Sequence, residues 1–132
     1  MANQETIYTE TTIENVFQKL ISGWDELSNF YHKEIKVHES DRLAYIDMAD
    51  IARFIVKKKK ANETKHFSRF FENTEAILEQ ADTYIQNLIV VGLFEGIQNI
   101  GGQEIAYKAS FNEWLGPKSI GEWRKLINFW GG

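Results

Sequence analysis

At 132 residues, with 43% apolar and 14% aromatic side chains, the chain is about one domain long and apolar enough to build its own core. It has no cysteine, which excludes disulfides, thiolate metal ligands and a thiol nucleophile. The formal charge of -4 argues against nucleic acid as the main partner, but the charge comes in blocks. Residues 51–70 hold Arg53, Lys57 to Lys60, Lys65 and Arg69 against Glu63 alone; residues 71–104 hold Glu72, Glu75, Glu79, Asp82, Glu95 and Glu104 and no lysine or arginine.

Residues 1–10 are expected to form a flexible N-terminal segment, with 11–132 as a single helical domain. Met1 to Glu10 has neither the basic start nor the apolar run of a secretory leader, and no apolar stretch approaches the roughly 20 residues that span a bilayer. The expected location is the cytoplasm, with no membrane partner. Thr11-Thr12-Ile13-Glu14 has the form of a capping box opening a helix. Ile13, Val16, Phe17, Leu20 and Ile21 follow at helical spacing, and Ser22-Gly23 ends the run. Trp24 to Phe30 predicts a short second helix with Trp24, Leu27, Phe30 and Tyr31 on one side. The alternation of Glu34 to His38 around Ile35 and Val37 fits a loop better than an edge strand.

Asp47 is the expected N-cap of a helix carrying Met48, Ile51, Ala52, Phe54 and Ile55, which ends in Lys57 to Lys60, where positive charge complements the helix dipole. Asn62 or Thr64 would cap the next helix, whose apolar stripe is Phe67, Phe70, Phe71, Thr74, Ile77 and Leu78 and whose outer face supplies Glu72, Glu75 and Glu79. Asp82 caps a helix from Tyr84 to Ile100 whose apolar side chains point in every direction, which predicts burial on all sides. Gly92 and Gly96, four residues apart within it, would let a neighbouring helix approach closely. After Gly101-Gly102, Tyr107, Phe111, Trp114 and Leu115 fit a helix face better than Ile105, Tyr107, Ala109 and Phe111 fit a strand. Gly116-Pro117 would stop that helix. Ser119-Ile120-Gly121-Glu122 would be a second capping box, opening a final helix with Ile120, Trp123, Leu126, Ile127 and Trp130 on one face. The expected fold is all-α, a compact five- to six-helix bundle of antiparallel helix hairpins around a buried central helix near residues 83–100.

His32, His38 and His66 lack metal-site spacing, and Glu39, Asp41, Asp47 and Asp50 lack the central glycine and closing glutamate of a calcium loop. No nucleophile elbow or phosphate-cradling glycine loop is present. No catalytic residue, metal ligand or cofactor is therefore read from the sequence. Glu95 breaks the apolar pattern of its helix, and a buried carboxylate must be paired, hydrogen-bonded or protonated. This opens an alternative reading, a small-ligand protein or enzyme using Glu95 in an inter-helix cleft. The basic 53–69 segment opens another, weak nucleic-acid binding, although Phe67, Phe70 and Phe71 beside it are periodic core residues.

The stretch His66-Phe67-Ser68-Arg69-Phe70-Phe71-Glu72, the stretch Val91-Gly92-Leu93-Phe94-Glu95-Gly96-Ile97-Gln98-Asn99, and Leu115-Gly116-Pro117-Lys118-Ser119 with Trp123 and Trp130 resemble a family of small all-helical bacterial proteins of unknown function. Some of these are similar to the immunity proteins of polymorphic toxin systems. The resemblance covers the second half of the chain, and its motifs are structural. It implies a shared fold and, through the immunity likeness, stoichiometric binding to a toxin domain, with charge blocks steering the encounter. A basic toxin nuclease would meet the acidic blocks at 1–50 and 71–104. The expected function is non-catalytic protein binding, with Glu72, Glu75, Glu79, Glu95, Lys57, Lys58, Lys59 and Lys60 as candidate binding residues.

Overall fold

The computed structural model describes residues 10–35 and 44–129, with side chains from Thr12 onward. Residues 1–9 of the expected N-terminal segment, the stretch around Val37 and His38, Glu39, Asp41 and Trp130 lie outside the described residues, while Glu10 belongs to the first helix. Helices α1 (Glu10–Ile21), α2 (Asp25–Phe30), α3 (Ala44–Lys60) and α4 (Phe67–Glu79) are followed by a central rod. That rod joins α5 (Thr83–Asn87), a π-type stretch (Leu88–Glu95) and α6 (Gly96–Gly101), and α7 (Pro117–Phe129) completes the bundle. The chain is all-α, as its periodicity predicts, with no strand among the described residues.

Helix α1 starts at Glu10, so Thr11 lies inside it rather than ahead of it. Of its predicted stripe, Ile13, Phe17, Leu20 and Ile21 are buried and Val16 is half-buried. The chain reverses at Gly23, whose φ of 82° suits a residue without a Cβ. The buried Asn73 of α4 fixes this turn by donating to the Ser22 carbonyl (3.1 Å) and hydroxyl (3.3 Å). Helix α4 runs antiparallel to α1, since Asn73 meets Ser22 while Gln80 and Ala81 lie beside Thr12 and Val16.

Helix α2 follows Trp24 as expected, but it continues into a π-type turn over Tyr31–Ile35 in place of the loop expected from Glu34 onward. Leu27, Tyr31 and Ile35 are all buried, so a core stripe four residues apart outweighs the local alternation. The Tyr31 hydroxyl donates to Glu14 Oε1 on α1 (3.2 Å). Burial, reinforced by the Glu14 charge, pushes this phenol's pKa well above its ordinary value.

Helix α3 begins at Ala44, so Asp47 lies in its first turn instead of capping it, a position where a carboxylate still complements the positive helix end. Lys57 to Lys60 occupy its last turn. Asn62 then adopts a left-handed φ of 58°; its N–H donates to Lys59 O (3.0 Å), and the Glu63 N–H donates to Lys58 O (2.9 Å). This pair of bonds is a Schellman closure, so Asn62 ends α3 and does not open α4. Helix α4 starts at Phe67 after His66, whose side chain makes no cap. Its predicted stripe is buried throughout.

Asp82 caps the central rod as expected, accepting from the Ile85 N–H (3.1 Å). The rod lies against α3 in the same direction: Met48 faces Gly92, Ala52 faces Gly96, and Lys60 reaches Glu104 just beyond the rod's end. Leu88, Ile89, Leu93, Phe94 and Ile97 are buried, but Val91 (46% exposed) and Ile100 (40%) reach the surface. Burial is therefore not all-round: the i→i+5 bonding of the π-type stretch puts side chains out of phase with a 3.6-residue wheel.

The helix favoured after Gly102 does not form as a regular element. A short 3₁₀ turn (Gly102–Ile105) is broken by Ala106 at a left-handed φ of 50°, and turns carry the chain to Trp114. Side chains hold this stretch: Trp123 Nε1 donates to Tyr107 O (3.0 Å), Ser110 Oγ donates to Ile105 O (2.5 Å), and Phe111 is buried against Trp123 (5.2 Å between centroids). Helix α7 opens at Pro117, ahead of the expected capping box at Ser119, because a residue without an N–H suits the first helical position.

A Cβ built on Gly96 would come within 3.1 Å of Ala52 Cβ, an atom that cannot move without its backbone. Gly96→Val is expected to destabilise by about 1–3 kcal/mol through overpacking. Urea titration should show a lower midpoint with an unchanged slope; a wild-type midpoint would mean that the two helices do not touch there.

Candidate binding groove

Helices α2 and α3 form an antiparallel pair. Glu26 meets Lys58 at one end (2.6 Å), and the Phe30 and Phe54 rings lie together at the middle (5.1 Å between centroids). From α2 and its π-type turn, Glu26, Asn29, Phe30, Lys33 and Glu34 project at i, i+3, i+4, i+7 and i+8. Helix α3 repeats that spacing with Asp50, Arg53, Phe54, Lys57 and Lys58. Between these faces lies an open groove of about 530 Å³. Its aromatic floor is braced from below, since Trp24 packs edge-on against Phe54 (5.3 Å) and also contacts Phe70 (6.1 Å).

The rim is charged. Arg53 pairs with Asp50 one turn earlier (2.6 Å). Lys58, whose side chain is only 14% exposed, lies over the Phe54 ring between Glu26 (2.6 Å) and Glu63 (3.0 Å). Hydrogen bonds to these carboxylates, Glu26 first, hold its ammonium above the ordinary lysine pKa. Lys33 and Lys57 are exposed and make no ion pair among the described residues. An aromatic floor flanked by two uncompensated ammonium groups is suited to an apolar contact framed by anionic ones.

Of the candidate binding residues, the groove brings together Lys57 and Lys58. Lys59 turns the other way, over the Phe111 ring (5.8 Å), and Lys60 pairs with Glu104 (2.5 Å), which lowers that carboxyl's pKa. The four lysines thus diverge from the end of α3 instead of forming one patch. Glu72 and Glu79, seven residues apart on α4, are exposed and without a partner among the described residues. Glu95 is half-buried on the central rod and lines neither this groove nor the pocket of about 430 Å³ between α1 and α4.

Glu75 is not on an outer face. Its carboxylate accepts from the Lys118 N–H (2.9 Å), the Ser119 N–H (2.9 Å) and the Ser119 hydroxyl (2.8 Å), capping the first turn of α7 from outside. The Ser119 hydroxyl is thereby committed to Glu75 and not to a capping box with Glu122. Burial alone would raise the Glu75 pKa, but the three hydrogen bonds outweigh it and hold the carboxyl below its ordinary value. Gly116 makes room for this arrangement, since a Cβ there would lie 2.7 Å from the Glu75 carboxylate.

Phe30 and Lys33 carry no site expectation in the sequence, and Arg53 enters only with the basic 53–69 segment; Phe54, expected in the core, is buried there (9% exposed) and also lines the groove floor. The available signal was Phe54 itself, which sits among Asp50, Arg53, Lys57 and Lys58 at helical spacing, an aromatic on an otherwise charged face. A model for a domain of unknown function, DUF7674, matches residues 12–131. The chain belongs to this family. The DUF7674 match runs from within α1 to beyond the end of α7 and includes both walls of the groove. No curated protein and no solved structure matches the chain.

Glu75→Ala is expected to cost about 0.5–2 kcal/mol, the range for losing a helix cap. Gly116→Ala should destabilise the wild type but add little in the Glu75→Ala background, where the displaced carboxylate is gone; additive costs in denaturant titrations would rule out their contact. Because the folded-state pKa of Glu75 lies below the ordinary 4.5, its contribution is complete above that pH and is lost as pH falls through the folded value. Wild type and Glu75→Gln should accordingly converge in stability on acidification below pH 4.5, and a constant gap would refute the ionised cap.

Proposed function

We propose that this chain is a non-catalytic protein-binding domain, and in its most specific form a bacterial, cytoplasmic immunity protein that neutralises a toxin domain. The observation that carries the reading is the α2–α3 groove: braced aromatics at its centre and charges at its rim are the composition of a binding hot spot surrounded by polar contacts. The immunity form rests on the sequence resemblance and on exposed acids, Glu72 and Glu79, that would steer a basic partner. A ligand site built on Glu95 gains no support from its position outside the two largest pockets described. A nucleic-acid surface on residues 53–69 is disfavoured because Lys58, Lys60 and Arg53 are each paired with a carboxylate of this chain.

Cross-linking of the full chain in its native cells, with reagents for lysines and for carboxylates, tests the reading independently of which face is used. The expected product is one dominant heteromeric partner that re-forms a stoichiometric complex from purified components and weakens as salt rises. Cross-links confined to the chain itself would reject protein binding. A partner without toxic activity would reject the immunity form.

A further inference from the structure

We infer that the α2–α3 groove receives a helical segment of the partner protein that carries acidic side chains two turns apart on either side of an apolar pair. This rests on the protein-binding reading and specifies its chemistry. Both walls are helices, whose backbone groups are bonded along their own axes, and no strand edge exists among the described residues to accept an extended peptide. An occupant must satisfy its own backbone, and a helix does so. The matching spacing of the two walls gives a third helix rows of side chains to pack between.

The groove's charges set the pattern on that helix. With Glu26 opposite Lys58 and Phe30 opposite Phe54, Lys33 falls opposite position 51, six residues before Lys57. At 1.5 Å per residue this separates the two unpaired lysines by about 9 Å along the groove, close to the ~10 Å between helix residues i and i+7. The Phe30–Phe54 floor lies between them, where residues i+3 and i+4 of the occupant would fall. Lys58 and Arg53 are neutralised by Glu26, Glu63 and Asp50, so the positive charge the groove offers a ligand is that of Lys33, with Glu34 beside it, and Lys57, on a chain of charge -4.

The test uses the full chain and a displayed library of 14-residue helical peptides randomised at i, i+3, i+4 and i+7. Selection should enrich Asp or Glu at i and i+7 and Leu, Ile, Phe or Trp at i+3 and i+4. Binding of the enriched peptides should fall at least tenfold in K33E/K57E and be restored there by peptides with Lys or Arg at both outer positions. If thermal unfolding shows K33E/K57E to be less stable than the wild type, K33Q/K57Q replaces it, with the same loss expected. No enrichment, enrichment without acids, or undiminished binding to the lysine variants would overturn the inference. A partner recovered by cross-linking while the library fails would leave protein binding standing and remove only the helix in the groove; failure of the cross-linking removes both.

Discussion

The bundle is organised by the contact between α3 and the central rod, and that contact depends on small side chains. Gly92 faces Met48 and Gly96 faces Ala52, so the two backbones approach more closely than larger residues would permit. Around that seam Leu88, Ile89, Leu93, Phe94 and Ile97 of the rod and Ile51 and Ile55 of α3 are buried. Each such aliphatic or aromatic side chain contributes on the order of 1.5–3 kcal/mol relative to exposure. Because the seam fixes α3 lengthwise as well as sideways, it decides where the end of α3 arrives: Lys60 at Glu104, Lys59 over Phe111. It also turns Asp50, Arg53, Phe54 and Lys57 toward α2, so the groove is a consequence of how α3 is held from behind.

Polar groups in the interior act where helices leave backbone unsatisfied. Asn73 bonds the carbonyl at the end of α1, Gln98 donates to Trp123 O (3.2 Å), Trp123 Nε1 reaches Tyr107 O, and Glu75 covers the first N–H groups of α7. Asn73, the Trp123 indole and Glu75 each join an irregular or terminal stretch to a helix distant in sequence, while Gln98 ties the rod to the middle of α7. Buried polar groups are costly unless bonded, so each specifies one position for the segment it holds more sharply than apolar contact does. The chain from Gly102 to Gly116, which contains a left-handed alanine and little regular structure, keeps a single path because Phe111 and Trp123 anchor it on one side and Glu75 receives its end on the other.

The helices with a clean apolar stripe, α1 and α4, were legible because every predicted core position had a neighbour at i+3 or i+4, and the structure buries all of them except Val16, which is half-buried. Legibility failed at helix ends, for identifiable reasons. Asn62 is as good a C-terminal residue as an N-cap, and only the hydrogen bonds of Asn62 and Glu63 distinguish the two roles. Ser119 has the local pattern of a capping box, but Glu75, far away in sequence, supplies a better acceptor. The same carboxylate read as part of an acidic surface, since a periodicity argument sees α4 alone and not the helix end lying against it. At Val91 the cause was different: the 3.6-residue period does not hold through a π-type stretch.

The groove escaped sequence reading because it belongs to two helices at once. On α3 the hint is Phe54 among charged residues; on α2 Phe30 falls in with Trp24, Leu27 and Tyr31, and Glu26, Asn29, Lys33 and Glu34 would pass for the solvated side of a short helix. Antiparallel pairing with α3 makes the difference, placing Glu26 against Lys58, while Asp50 of α3 itself holds Arg53 and Lys33 and Lys57 stay without an ion pair among the described residues on either side of the aromatic floor. The pairing also bears on specificity. Glu26 and Asp50 neutralise the cations nearest them, so a uniformly acidic ligand would meet repulsion at those points and attraction only at the two lysines. Charge that is uniform along a surface accelerates many encounters. Charge arranged in this alternation favours a ligand whose acids have the matching spacing, and that is how a chain of net charge -4 can hold a selective site for another anionic surface.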